Sequence, residues 1–294
     1  IIIMTLESLV HLYVKKLNKA GIPFALKEIR LIIEETVGIR LENQLVHQNM
    51  LLNKNKQTLI QDALNRRLDR EPIDRILNKT IFRDFELSLS KNTFAPRKET
   101  ELLIDIIINL KLQPTKILEL GTGSGAISIA LMRTFPKAKC ISTDINEKSL
   151  RKAKQNARKN NVLEQINFIC CNWLDIFVNF DFDVIVANPP YIKTEVIESL
   201  DPEVKCYDPL ISLDGGKYGL DCYKKIILGL DQKKFINNSI IIFEIGHDQA
   251  EEVKNLMKEA KIMKIKVFKD YSNQTRFILG IKKKSVFKIN DKKK

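Results

Sequence analysis

A glycine-rich turn between a buried strand and a helix is the feature that most limits how this chain can fold. Residues 116–120 form an apolar run that predicts a buried strand. Glycines follow at 121, 123 and 125, and a helical pattern then continues through Met132. A strand, a glycine turn and a helix N-terminus in this order form a corner where the backbone can approach a nucleotide or nucleoside closely. The turn also fits the G-x-G-x-x-A pattern of dinucleotide-binding proteins, so by itself it leaves the cofactor open.

The next two predicted strands end in residues that can bind the same ligand. One ends at Asp144, whose carboxylate can accept both ribose hydroxyls of either cofactor type. The other, 166–170, leads to Trp173, the single tryptophan of the chain. Trp173 is well placed to lie against an adenine ring, and a core position is its alternative. Since open α/β sheets bind ligands at the carboxyl ends of their strands, we expect these residues at one edge of the sheet.

A fourth predicted strand, 182–187, delivers Asn188-Pro189-Pro190-Tyr191 to the same edge. The prolines remove two backbone donors, and a residue before proline is kept out of the helical region, so Asn188 leaves the strand extended and stiff. The Asn188 side-chain oxygen and the Pro189 carbonyl can each accept one hydrogen of a planar NH2 group, with the Tyr191 ring alongside. This pattern indicates an amide or exocyclic amine as ligand; a proline-rich turn that only ends a strand is the alternative.

The chain divides into a helical part and an α/β part. Residues 1–72 carry helical apolar spacing, for example at Leu26, Ile29 and Leu59, which predicts a bundle of four or five helices. The bundle can hold a partner or act as a structural cap. Residues 73–95 alternate in polarity and predict a linker with a short strand pair.

Residues 96–281 predict the α/β domain, with a mostly parallel sheet and an antiparallel closing strand pair at 262–270 and 275–281. The charged loop 94–101 can act as a lid over a cofactor. A long polar insertion, 204–221, follows the fourth strand, and loops of this length are usually functional or mobile.

Composition excludes several classes of protein. The formal charge is +13, but seven Lys and one Asp in residues 282–294 contribute +6 of it, which predicts a solvated, disordered tail. Five Cys without C-x-x-C and three His without H-E-x-x-H give no support to a disulfide framework or a metal site. With no apolar run of ~18 residues and no signal or transit pattern, we expect a soluble protein of the bacterial cytoplasm, with an organelle as the alternative.

The glycine turn together with residues 188–191 resembles class I S-adenosylmethionine-dependent methyltransferases. Further strings resemble the HemK/PrmC family of release-factor glutamine methyltransferases. These strings are Glu71-Pro72, Pro96-Arg97-x-Glu99-Thr100-Glu101, 182–192, 214–221 and Phe243-Glu244-Ile245-Gly246. Two residues depart from the family pattern: Lys98 stands where a second proline or a small residue is common, and Asn78 replaces a usual glycine.

The resemblance implies transfer of a methyl group from S-adenosylmethionine to the side-chain amide of the glutamine in the Gly-Gly-Gln motif of class I peptide-chain release factors. The glycine turn would contact the methionine part of the cofactor, Asp144 its ribose and Trp173 its adenine region. The implied cofactor-binding residues are Gly121, Thr122, Gly123, Ser124, Gly125, Asp144, Trp173 and Asn188. The implied substrate-binding residues are Asn188, Pro189, Pro190 and Tyr191, and the catalytic ones are Asn188, Pro189 and Tyr191. The bundle would help to dock the release factor, and we expect a monomer with no metal, no membrane and no obligatory nucleic acid.

Three alternatives stay open from the sequence. A nucleic-acid methyltransferase acting on an exocyclic amine of adenine or guanine fits the same acceptors, and Tyr191 can stack on a flipped base. The modest charge of the body and the lack of a sizeable target-recognition domain argue against it. A nicotinamide-dependent oxidoreductase fits the glycine turn and Asp144 but leaves residues 188–191 unexplained. A catalytically silent, ribosome-associated binding module is the third alternative.

Overall fold

The computed structural model describes residues 4–235 and 238–283, and their contacts divide the chain into two compact units. One unit holds the described residues up to Thr80 together with Leu200–Tyr207, and the other holds Ile81–Ser199 and the residues from Asp208 onward. The helices are α1 (Leu6–Lys19), α2 (Ala25–Val37), α3 (Leu41–Val46), α4 (Lys54–Leu68), α5 (Ile73–Ile76), α6 (Glu101–Asn109), α7 (Ala126–Thr134), α8 (Glu147–Lys159), α9 (Pro202–Lys205), α10 (Asp221–Gln232) and α11 (Ala250–Glu259). The strands are β1 (Lys79–Phe82), β2 (Phe85–Ser88), β3 (Lys116–Leu120), β4 (Lys139–Asp144), β5 (Ile166–Cys170), β6 (Asn179–Phe180), β7 (Val184–Ala187), β8 (Lys234–Phe235), β9 (Ser239–Glu244), β10 (Ile262–Lys269) and β11 (Thr275–Lys282).

The first unit contains the helical bundle that the apolar spacing predicts. Its core is formed by side chains of α1, α2 and α4, among them the fully buried Ile29 and Leu64. The left-handed Gly38, with φ of 71°, ends α2, as expected for a glycine just past the last helical residue. Leu26 and Leu59, two of the residues that show this spacing, lie in the predicted helices but are 48% and 52% exposed. Both lie beside the core-facing stripe of their helices, which spacing alone does not locate to within one residue.

A buried arginine joins α9 to the bundle. Arg67 of α4 donates to Glu28 at 2.6 Å and to Glu203 of α9 at 3.4 Å, and the Arg70 guanidinium lies 2.9 Å from Glu203. The Tyr207 hydroxyl adds a hydrogen bond of 2.8 Å to a main-chain carbonyl of the bundle. Charge pairs of this kind are costly to break once buried, because the remaining partner stays uncompensated. The segment 200–207 therefore folds with the bundle, although its neighbours in sequence belong to the other unit.

The second unit is built on a seven-stranded sheet with the order β10-β11-β9-β7-β3-β4-β5. The strands from β9 to β5 are parallel, while β11 is antiparallel to β9 and β10 is antiparallel to β11. This arrangement confirms the predicted mostly parallel sheet with an antiparallel closing pair. α6, α7 and α8 contribute to the apolar layer on one face, and α10 and α11 to the layer on the other. β3 and β7 are buried on both faces, which explains why their sequences are nearly continuous apolar runs.

The register of the parallel strands brings four strand ends to one edge. Leu120 pairs with Thr143 on one side and with Ala187 on the other, and Ala187 pairs in turn with Phe243. The residues one step beyond these partners lie side by side at the carboxyl edge. They are Gly121, Asp144, Asn188 and Glu244.

Three smaller sequence features also have a structural outcome. Asn78, which replaces the family's usual glycine, has φ of 53°, in the left-handed region that asparagine adopts more readily than other non-glycine residues. β1 and β2 form the predicted short strand pair. Lys282, assigned to the tail from the sequence, belongs to β11 and donates to Asp231 at 2.9 Å. Residues 284–294 of the predicted tail lie outside the described residues.

Gly125, at the start of α7, is a residue whose replacement should destabilise the second unit. It has φ of 85°, and an added Cβ would lie 3.2 Å from the Ala153 Cβ and 3.2 Å from the Ile129 Cδ1. We expect Gly125→Ala to lower the free energy of unfolding by about 2 kcal/mol, from left-handed strain and overpacking between α7 and α8. Urea unfolding followed by the fluorescence of Trp173 measures this loss.

Gly123→Ala is the matched control for that measurement. Gly123 also has a positive φ, 56°, but no atom lies within 4 Å of an added Cβ. Its variant should show the strain alone, about 1 kcal/mol. A loss for Gly125→Ala no larger than for Gly123→Ala would contradict the packing role of Gly125.

Candidate active site

A cavity of about 690 Å³ opens at the carboxyl edge of the sheet in the second unit. Loops that follow β3, β4, β5 and β7 contribute to its wall, together with residues from 92–100 and 210–214. This is the edge at which open α/β sheets bind ligands, and the volume is that of a typical small-molecule site. The predicted site residues that line it are Gly121, Thr122, Gly123, Ser124, Asp144, Trp173, Asn188, Pro189, Pro190 and Tyr191. Gly125, predicted to contact the cofactor, does not line the cavity and instead packs against α8.

The glycine turn is anchored from behind by a buried carboxyl group. The Glu119 Oε2 accepts hydrogen bonds from the Thr122 hydroxyl at 2.6 Å and from the Ser142 hydroxyl at 3.1 Å. Burial raises the pKa of this carboxyl to about 7, against the opposing effect of those hydrogen bonds. Its other oxygen, Oε1, has no hydrogen-bond partner among the described residues. The turn is thus tied to the sheet by polar contacts on its inner side, which leaves its outer side to the cavity.

Asp144 is held rigidly at the end of β4. Its Oδ2 accepts the Gly123 N–H at 2.8 Å, and its Oδ1 accepts the Asn146 N–H at 2.8 Å. Burial raises the pKa of the Asp144 carboxyl, and these backbone donors oppose that shift. A carboxylate has about four lone-pair positions, so each oxygen keeps the capacity to accept a ligand hydroxyl. The geometry is that of a fixed acceptor for a diol.

Trp173 lies against the glycine turn. It follows β5 with a φ of 48°, and its indole Cζ3 is 3.4 Å from the position that a Cβ on Gly121 would occupy. A methyl group at 121 would therefore be in van der Waals contact with the indole ring. The ring forms part of the cavity wall and also packs against the apolar layer on one face of the sheet.

Residues 188–191 are supported by the loop 214–221. Backbone hydrogen bonds join Ile192 to Leu213 at 3.0 Å and Gly215 to Ile192 at 2.8 Å. A Cβ on Gly215 would lie 2.8 Å from the Tyr191 Cα, and one on Gly219 would lie 2.3 Å from the Tyr191 carbonyl oxygen. The glycines of this loop are thus required for its close approach to the 188–191 backbone.

Tyr191 itself is held at both ends. Its carbonyl oxygen accepts the Gln249 Nε2 at 2.9 Å, and its hydroxyl oxygen accepts the Arg276 Nη1 at 3.4 Å. Burial raises the pKa of the Tyr191 phenol to about 12. The phenol is therefore neutral at physiological pH and acts by shape and polarity rather than as a base.

Several cavity residues have no role assigned from the sequence. Ile127 and Ile145 supply apolar wall, and Thr100 and Glu244 place a buried polar pair beside Asn188. The signal for Glu244 is its position at the carboxyl end of an apolar strand, β9, and Asp144 and Asn188 were found from corresponding positions at the ends of β4 and β7. Among the residues that the structure describes, no group of three or more His, Cys, Asp and Glu side chains can hold a metal ion. Within the same residues, no helix combines the length and the apolar character that crossing a bilayer requires.

Comparison with known sequences decides the family. A methyltransferase domain family matches residues 112–287, and the PrmC N-terminal domain family matches residues 8–77. A release factor glutamine methyltransferase of Agrobacterium fabrum is 33% identical over 271 residues, which cover 90% of this chain and 93% of that protein. The chain belongs to the release factor glutamine methyltransferase family. This assignment replaces the nicotinamide-dependent alternative.

Other relatives agree with the assignment. The release factor glutamine methyltransferase of Caulobacter vibrioides is 32% identical over 91% of this chain and 93% of its own length. A bifunctional methyltransferase of Rickettsia typhi is 35% identical over 81% of this chain, which corresponds to 50% of that longer protein. Among solved structures, the hMettl16 catalytic domain in complex with MAT2A 3′UTR hairpin 1 has a TM-score of 0.53 at 13% identity, over 88% of this chain and 89% of that one. This last likeness shows the fold alone.

The residues of the cavity fit S-adenosylmethionine, the cofactor of this methyltransferase fold. Asp144 would offer a fixed acceptor for the ribose diol, and Gly121 and Gly123 would present bare backbone to the amino-acid part. Trp173 and Ile145 would supply flat and apolar surface for the adenine. The family's cofactor and the donor and acceptor set of this chain therefore agree.

Asp144→Asn should weaken cofactor binding. The change removes the charge and replaces one acceptor oxygen with a donor, and hydrogen bonds to charged groups contribute about 1.5–3 kcal/mol. We therefore expect the Kd for S-adenosylmethionine, measured by isothermal titration calorimetry, to rise about tenfold or more. Glu147→Gln, at an exposed carboxylate of α8, is the control and should leave the Kd unchanged. An unchanged Kd in Asp144→Asn would show that Asp144 is not the ribose acceptor.

Proposed function

We propose that this protein transfers a methyl group from S-adenosylmethionine to the side-chain amide nitrogen, N5, of the glutamine in the Gly-Gly-Gln motif of class I peptide-chain release factors, and so supports translation termination. The observation that carries this proposal is the position of Asn188 and Pro189 in the same cavity wall as Asp144 and the glycine turn. Two acceptors suited to a primary amide thus stand beside the cofactor residues. The names of the relatives support the same substrate.

The chemistry of an amide explains why positioning is the main requirement. The lone pair of the amide nitrogen is delocalised into the carbonyl, so the nitrogen is almost non-nucleophilic until its hydrogens are held and it can pyramidalise. Fixed geometry can contribute about 7–11 kcal/mol to such a reaction. Acceptors that bind the transition state more strongly than the ground state lower the barrier further.

Residues 188–191 have different roles in positioning the amide. The Asn188 Oδ1 and the Pro189 carbonyl oxygen each accept one hydrogen of the glutamine NH2 group, and the two prolines keep both acceptors on a stiff backbone. Tyr191, neutral and fixed by Gln249 and Arg276, borders the amide. S-adenosylmethionine, when bound, would supply the electrophilic methyl group for the glutamine nitrogen, and its sulfur would keep the electron pair of the C–S bond as the leaving group. The amide nitrogen then releases one hydrogen as a proton to solvent.

The remaining parts of the chain have supporting roles in this proposal. The bundle, residues 1–72, helps to dock the release factor, residues 73–95 link it to the methyltransferase domain, and residues 96–281 carry the chemistry. Loop 94–101 acts as a lid, since Phe94 and Pro96 already contribute to the cavity wall. The protein acts as a monomer in the bacterial cytoplasm, without obligatory nucleic acid.

Labelled methyl transfer to a purified class I release factor tests the substrate. We expect label on the release factor and none on a variant whose Gly-Gly-Gln glutamine is replaced by alanine, because only the primary amide matches the two acceptors. Equal labelling of both would place the methyl group on another residue. Label on DNA or RNA but not on the release factor would favour transfer to an exocyclic amine.

Asn188→Ala separates chemistry from cofactor binding. The variant loses one of the two acceptors, so we expect transfer to fall at least about a hundredfold, while the Kd for S-adenosylmethionine stays within about threefold. The control is Asn167→Ala, at an exposed position of β5, which should leave both quantities unchanged. Normal transfer by Asn188→Ala would show that the Asn188 oxygen does not hold the substrate amide.

A further inference from the structure

Glu244 is a buried carboxyl group that the chemistry above does not use. It ends β9, one residue beyond the pairing of Ala187 with Phe243, which places it beside Asn188. It is 2% exposed and lines the cavity. Burying a carboxylate is costly, so its hydrogen-bond partners indicate what it is for.

Two hydrogen bonds connect Asn188 to Glu244 through Thr100, and each has a defined donor and acceptor. The Thr100 Oγ1 donates to the Glu244 Oε2 at 2.7 Å, and the Asn188 Nδ2 donates to the Thr100 Oγ1 at 3.4 Å. A hydroxyl has one hydrogen to donate, and an ionised carboxylate can only accept. The Thr100 hydrogen therefore points to Glu244, and the lone pairs of Thr100 can meet only the NH2 end of the Asn188 amide.

We propose that the Glu244 carboxylate, acting through Thr100, fixes the orientation of the Asn188 amide so that its oxygen faces the substrate nitrogen. This inference rests on the proposed function of the site, because it concerns the acceptor for the glutamine NH2 group. With the Asn188 amide turned over, its NH2 group would face the NH2 group of the substrate, and one of the two acceptors would be lost. Glu244 and Thr100 are positioning residues in this scheme.

Charged and titratable groups surround Glu244 on several elements. Arg276 on β11 and Glu99 before α6 act on it electrostatically. Tyr223 on α10 donates from its hydroxyl to the Glu244 main-chain carbonyl at 2.8 Å, and Tyr191 faces it from the loop after β7. Burial raises the pKa of both phenols, so neither carries charge at physiological pH.

The ionisation of Glu244 should appear in the pH dependence of transfer. Burial raises the pKa of the Glu244 carboxyl to about 7, and the hydrogen bond from Thr100, the charge of Arg276 and the Asn188 amide limit the rise. A protonated Glu244 can donate to Thr100, whose own hydrogen then turns towards Asn188, and the constraint on the amide is lost. Transfer should therefore decline as the pH falls through about 7.

The test measures kcat and KM for labelled methyl transfer to the release factor from pH 6 to 9, with the Kd for S-adenosylmethionine measured by calorimetry. We expect Glu244→Gln to lower kcat about tenfold or more at pH 8, to remove the decline near pH 7 and to leave the Kd within about twofold. Thr100→Val should have the same effect, and Thr100→Ser should restore activity because it keeps the hydroxyl. Since both residues act through one path, the double variant should lose no more than either single variant.

A stability measurement separates positioning from a structural role. Because the folded-state pKa of Glu244 is raised above its ordinary value of 4.5 to about 7, this group's contribution to stability is present below pH ~4.5 and lost as the pH rises through about 7. The Glu244→Gln side chain does not ionise, so the folded variant does not bear the cost of a buried charge at pH 8. Its urea midpoint at pH 8 should therefore be no lower than that of the unaltered protein. Glu251→Gln, at an exposed carboxylate of α11, is the matched control and should change neither kcat nor midpoint.

Each outcome decides between defined possibilities. If the unaltered protein labels the release factor and Glu244→Gln has the same kcat and the same pH profile, the positioning inference is wrong and the proposed function stands. If Glu244→Gln lowers the urea midpoint as well as kcat, Glu244 has a structural role and the inference is overturned. If the unaltered protein does not label the release factor, the proposed function fails and the inference fails with it.

Discussion

Parallel pairing of β4, β3, β7 and β9 is the constraint on which the whole active site depends. Each strand runs in the same direction, so the four residues that follow the paired positions are neighbours in space although they are far apart in sequence. The spacing between strands sets the distances between Asp144, the glycine turn and Asn188. A slip of one residue in one strand would turn its last side chain to the opposite face of the sheet and remove it from the cavity. Both apolar layers of the second unit act to prevent such a slip.

Buried polar groups behind the cavity have a common design. Glu119 lies behind the glycine turn and Glu244 lies behind Asn188, and each accepts a short hydrogen bond from a threonine hydroxyl, at 2.6 and 2.7 Å. Burial raises the pKa of each carboxyl to about 7, so the ionised forms weaken the fold at neutral pH and above. Each carboxylate accepts the hydrogen of its threonine hydroxyl and so fixes the orientation of that hydroxyl. The groups that meet ligands are thereby oriented from behind.

Where the sequence signals are local, the structure brings the predicted residues to one cavity. Asp144 ends one strand of the sheet and Asn188 follows another, and the second of these strands, β7, is buried on both faces and so is readily located in the sequence. Gly125 shows the limit, because spacing does not distinguish a glycine needed by a ligand from one needed for packing against Ala153. The pairing of Thr100 with Glu244 spans 144 residues, so neither strand pattern nor motif could reveal it. The inclusion of 200–207 in the first unit depends likewise on ion pairs between distant residues.

The close packing of Gly215 and Gly219 on Tyr191 has a consequence for how such enzymes diversify. If residues 188–191 alone were replaced and their backbone moved, the loop 214–221 would still be shaped to fit the original backbone. The fit is close, since even a methyl group at 219 would collide with the Tyr191 carbonyl oxygen. The two backbone segments are thus closely fitted to each other, although more than twenty residues separate them in the chain. Exchange of this specificity between methyltransferases would therefore require a long contiguous block of sequence rather than a short motif.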